Sequence, residues 1–200
     1  MSPMHLVLHG LAIKKHAGPD EIAGLIGLSA TDTAEYLRVA TSGGRAIEAN
    51  GKYLLSPLAR VALESDYFRH YAELRDDADF FAAYEAFERI NVQLKALITD
   101  WQTMEVAGQR VANDHSNGAH DEKVIGRLGD LHERADSILS RLTKGLPRLN
   151  YYRIHLLSAL EKAEDGAIEW VSDARIESYH TLWFELHEDL LRIVGRTRVE

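Results

Sequence analysis

The segment Ser178–Leu190, SYHTLWFELHEDL, places two histidines, three acids and three large aromatic residues within thirteen positions. Imidazole and carboxylate are the groups that bind transition metals and move protons near neutral pH. His180 and His187 are seven residues apart, about two helical turns or roughly 10 Å, too far to grip one ion as an i, i+4 pair does. Glu177 precedes His180 by three, the Glu-x-x-His spacing of di-metal bundles, but that chemistry needs the motif on two helices. Helical spacing puts Ile176, His180, Trp183, His187, Leu190 and Val194 on one face, and Glu177, Thr181, Glu185, Glu188 and Arg192 on another. Two readings follow. In one, the histidines are core residues, each bonded to a buried polar partner such as Asn91. In the other, Tyr84, Asn91, His180, Trp183 and His187 line a pocket for a small-molecule effector.

A second cluster, Asp114, His115, His120 and Asp121, lies in the polar stretch NDHSNGAHD. It offers hard and imidazole ligands, and turn chemistry accounts for the same composition. No nucleophile elbow, phosphate-binding loop or dinucleotide fingerprint occurs. The expectation is therefore a non-enzyme, with no catalytic residue, no cofactor and no metal.

The elements that position these residues fall into two parts. The 200-residue chain carries a net charge of −8 and no cysteine, so it has neither disulfides nor thiolate metal sites. It has no run of about 18 apolar residues and no basic-then-apolar leader, which predicts a cytoplasmic protein with no membrane span. Residues 1–66 hold six Lys/Arg against seven Asp/Glu, and residues 67–200 hold seventeen against twenty-four. The acidity belongs to the rear, so it weighs less against contact between the front and phosphate.

In the front part, Pro19 suits a first helical turn, with Asp20 and Glu21 at its positive end. Ile22, Ala23 and Ile26 form its apolar face. Gly27 stops it, and Ser29 with Asp32 resembles a capping box for a second helix that buries Thr33, Leu37 and Ala40. Arg45–Glu48 and Lys52–Leu55 flank Asn50-Gly51, a strong hairpin signal. LHGLAIKKHA supplies a helix before, and PLARVALE one after.

This order resembles the winged helix-turn-helix domain of bacterial regulators of the MarR-like and ArsR-like kind, over about the first third of the chain. The resemblance implies that the second helix of the motif enters the major groove of duplex DNA and that the wing touches its backbone. The residues turned outward are Thr31, Asp32, Glu35, Tyr36, Arg38 and Val39. The expected DNA contacts are Thr31, Tyr36, Arg38, Arg45, Asn50 and Lys52. Two acids and one arginine on that helix are fewer cations than groove readers usually carry.

The rear part, 67–200, reads as four amphipathic helices: Tyr67 to Thr103, Asp121 to Lys144, Arg148 to Glu164, and Ser172 to Val194. A short hairpin turns at Ala107-Gly108. Short links favour antiparallel neighbours. The expected fold is mainly α: a winged helix-turn-helix over 1–66, then a three- to four-helix antiparallel bundle. The expected function is a dimeric DNA-binding transcriptional regulator whose bundle pairs two copies and binds an effector. The alternative is a protein-interaction or ligand-binding module that uses the winged helix as a contact surface.

Overall fold

The computed structural model describes residues 2–197. The protein is mainly helical, with 73% of its residues in helices and two small antiparallel hairpins. It divides into two compact units, Met1–Ala78 with Glu185–Glu200, and Asp79–Phe184. The division does not fall at Ser65–Asp66, because one helix runs through that point without a break.

The first unit holds α1 (Pro3–Lys14), α2 (Pro19–Ile26), α3 (Ala30–Ser42), β1 (Ala46–Ala49), β2 (Lys52–Leu55), α4 (Pro57–His70) and α5 (Ala72–Asp76). Three of its helices open on proline, whose fixed φ suits the first turn and whose missing N–H is no loss there. Ser2 and Ser56 cap α1 and α4 by accepting from the N–H groups of His5 and Ala59. Gly27 ends α2 at φ +73°, the left-handed region where a Cβ is penalised. Ser29 caps α3 by accepting from the Asp32 N–H at 3.0 Å. The face of α3 bearing Thr33, Leu37 and Ala40 is fully buried and packs on α1 and α2.

The last helix, α10 (Tyr179–Val194), belongs to the second unit up to Phe184 and to the first from Glu185. In the first unit polar side chains fasten it. Lys14 pairs with Glu185 at 2.8 Å, largely out of solvent. Arg192 pairs with Glu64 and with Glu188. The Arg75 guanidinium donates to the carbonyls of Ile193 and Arg192 at 2.7 and 3.2 Å. His9 sits between Tyr67 and Asp189, with Nδ1 2.8 Å from the phenol oxygen and Nε2 3.1 Å from the carboxylate.

The second unit contains α6 (Ala78–Gln102), β3 (Thr103–Val106), β4 (Gln109–Ala112), α7 (Gly118–Gly145), a 3-10 turn (Pro147–Leu149), α8 (Asn150–Glu164), α9 (Glu169–Ser172) and the start of α10. The stripe of α7 buries Val124, Leu128, Leu131, Ala135 and Leu142, and the helix packs along α8. Arg153 of α8 grips Asp136 of α7 with two hydrogen bonds of 2.8 and 2.9 Å.

Two helical spans expected from spacing are broken. Tyr67 to Thr103 is not one helix: α4 ends at His70, Tyr71 sits at ψ 17°, and Asp77 leaves the helical region at ψ 108°. Aspartate competes for backbone groups and favours such ends. The last helix does not start at Ser172. Asp173 turns its carboxylate back to accept from the N–H of Arg175 at 2.8 Å, and Ser178 caps α10 by accepting from the Thr181 N–H. Ile176 and Glu177 therefore precede the helix, and Glu177 accepts from the Tyr151 hydroxyl instead.

His132 of α7 gives a pH test. Its Nδ1 lies 3.2 Å from the buried Tyr179 hydroxyl, and burial holds its imidazole below the usual value of 6.5. The folded chain thus binds this proton less readily than the unfolded chain. The stability is fully present above about pH 6.5 and is lost as pH falls below it. Thermal melts between about pH 7.5 and 5 should fall more steeply for the native protein than for His132→Gln. Equal slopes would remove His132 from the pH response.

Candidate nucleic-acid interface

The far face of α3 is open to solvent: Thr31, Asp32, Glu35, Arg38 and Val39 are exposed, and Tyr36 is half-buried. Asp32 has a local task, since its carboxylate accepts from the Ser29 hydroxyl at 2.7 Å while its own N–H bonds that side chain. An acid there also favours the positive helix end. Arg38 lies 3.8 Å from Glu35, both well exposed, so the pair holds the arginine only weakly.

The β1–β2 hairpin pairs Ala46 with Leu55 and Ala49 with Lys52. Asn50 and Gly51 both take positive φ, 55° and 76°, the backbone of a tight turn matched to the strand twist. The Gly51 N–H donates to Glu48 at 2.7 Å. A bridge between Ala17 and Tyr53 ties the hairpin to the α1–α2 connection through two backbone hydrogen bonds. Arg45, Asn50 and Lys52 are exposed. Lys52 lies 3.8 Å from Glu21, whose carboxylate also accepts from the Gly18 N–H. The far face of α3 and the hairpin thus offer three cations, an amide and two hydroxyls, interrupted by four acids, Glu21, Asp32, Glu35 and Glu48.

Of the residues assigned to an effector pocket, the structure brings Asn91 and Trp183 together. The indole N–H donates to Asn91 Oδ1 at 3.1 Å, in the interior. Asn91 Nδ2 donates to Glu88. The asparagine is therefore the partner of Trp183, not of the histidines. Trp183 also stacks on Phe87 and Tyr179, at centroid distances of 4.8 and 6.1 Å. Tyr84 is buried beside Phe81. His180 is half-buried, and burial lowers its imidazole from the usual value. His187 falls in the first unit, half-buried.

The Asp114–Asp121 loop is a web of hydrogen bonds. Asp121 is buried and accepts from Asn113 at 2.8 Å, and its other oxygen lies 3.0 Å from His115 Nδ1. Asp114 bonds the Ser116 N–H and hydroxyl. His120 reaches the Asp100 carbonyl at 3.0 Å. This network accounts for the loop's polar composition.

Spacing did not reveal two constellations of the first unit. One is the Tyr67–His9–Asp189 chain. A carboxylate at Nε2 favours the Nε2–H tautomer, leaving Nδ1 to accept from the phenol. Burial pushes the Tyr67 phenol above its usual value, and the His9 and Asp189 side chains are shut off from solvent, so this chain links α1, α4 and α10 within the first unit. The other is His5, Asp66 and His70, in which one nitrogen of each ring and a carboxylate oxygen all lie within 4.8 Å of one another. The i, i+4 spacing of Asp66 and His70 was a signal for it. Comparison with family models, curated proteins and solved structures finds no match to this chain.

Proposed function

We propose that the chain is a DNA-binding transcriptional regulator whose first unit works as a winged helix-turn-helix. The observation that carries this reading is the joint exposure of the far face of α3 and the hairpin tip, after a tight α2–α3 turn that buries the other face of α3. Thr31 and Tyr36 would face the groove, with Arg38, Arg45 and Lys52 reaching phosphates and Asn50 against the backbone. Leu58, Val61 and Phe68 are exposed on α4 at helical spacing, which supports pairing of two copies and hence two half-sites. A contact surface for another protein is the second reading. It is favoured by the acids beside Arg38 and Lys52, which compete with phosphate for both cations.

Anisotropy of labelled random duplex DNA tests this directly. With Arg38, Arg45 and Lys52 on phosphate, the slope of log K against log salt is about −2.7 per protomer. Raising salt from about 50 to about 200 mM then weakens binding about 40-fold per protomer. In Arg38→Ala/Lys52→Ala the slope falls to about −0.9. Absence of binding at the lower salt, or an unchanged slope in the variant, overturns the DNA reading and favours the protein-contact surface.

A further inference from the structure

We propose that His5, Asp66 and His70 form a binding site for a divalent first-row transition-metal ion of the zinc class. Two imidazoles and one carboxylate suit such ions, and three protein ligands leave a coordination position for water.

The geometry is built for it. His5 projects from the first turn of α1, and Asp66 and His70 lie one turn apart on α4. The His5 and His70 rings approach to 3.9 Å between centroids, tilted by 54°. His5 is 6% exposed, and its Nε2 is sealed from solvent with no hydrogen-bond partner. An unpaired buried nitrogen is costly, and a metal bond is one way to satisfy it. Arg69 donates to Asp66 at 2.5 Å, and a bound ion replaces that exposed contact. These groups line a cavity of about 450 Å³, with Ser2, Leu63 and the Gly43–Arg45 turn among its walls.

The ligand atoms stand wider than in a loaded site. Bonds of about 2.0–2.1 Å in a tetrahedron set ligand atoms about 3.3 Å apart. His70 is exposed and Asp66 half-exposed, so their side chains can rotate inward onto the fixed His5. Loading would staple α1 to α4 beside the turn that leads from α3 into the hairpin.

The test uses the full chain, stripped with chelator and titrated with Zn²⁺ by calorimetry and with Co²⁺ by visible absorption. The expected result is one saturable equivalent, a cobalt band of low-coordinate nitrogen and oxygen ligation, and affinity reduced more than about tenfold in both His70→Ala and Asp66→Asn. Both altered residues are solvent-accessible, so the variants should fold, and circular dichroism checks that they do. His5→Gln is read beside them. No saturable equivalent, or binding unchanged in the folded His70→Ala and Asp66→Asn variants, overturns the site. This readout is independent of DNA binding.

Discussion

Replacing Asp189 by alanine should lower the unfolding free energy by about 1–3 kcal/mol, the cost of leaving a buried hydrogen-bonding group without its partner. Asp189 and His9 are shut off from water, 3.1 Å apart, and the other His9 nitrogen meets the Tyr67 hydroxyl. Removing the carboxylate leaves the imidazole's Nε2–H without an acceptor in a medium that cannot hydrate it. The loss comes chiefly from the orphaned group. His9→Leu combined with Asp189→Leu should therefore cost well under the sum of the two single changes. Urea denaturation followed by helical circular dichroism measures all four corners of that cycle. A loss below about 1 kcal/mol for Asp189→Ala would show that the chain of groups is not a structural pin.

The second large effect is expected at Trp183. Trp183→Ala should cost about 3–5 kcal/mol, as large-to-small changes of buried aromatic residues do. The indole stacks on Phe87 and on Tyr179, and its N–H is bonded to Asn91. Trp183→Phe separates the two contributions. It retains most of the stacking but leaves Asn91 Oδ1 buried and unpaired, at about 1–3 kcal/mol. Adding Asn91→Leu to Trp183→Phe should recover much of that loss, because no orphan acceptor remains. If Trp183→Phe is as damaging as Trp183→Ala, ring size dominates. If Trp183→Ala costs less than about 1 kcal/mol, the indole is not a core anchor.

What was legible in the sequence was local. Gly27 needs a left-handed backbone, Ser29 and Asp32 bond within one turn, and Asn50-Gly51 closes a two-residue hairpin. Each signal lies within a few residues, and each element stands where spacing put it. The stripe of α7 was readable for the same reason. The helix ends at Tyr71 and Asp77 were not, because the apolar spacing continues across them while backbone angles change at single residues. The partners of α10 were less legible still. Periodicity says that His180, Trp183 and His187 share a face, but not what that face meets. Lys14, His9, Glu64 and Arg75 hold the helix's second part from more than a hundred residues away. The candidate metal ligands were hidden by the expected boundary after residue 66, which separated His70 from His5 and Asp66.

The return of the last helix to the first unit also governs how the chain is made. A ribosome delivers Ala78 long before Glu185, and 106 residues separate the two segments of that unit. At about 5–20 residues per second the gap is about 5–20 s. Throughout that interval the nascent chain carries His9 and Lys14 without Asp189 and Glu185. Vectorial synthesis thus completes the second unit before the first can close, and the amino-terminal half of the protein is the later to mature.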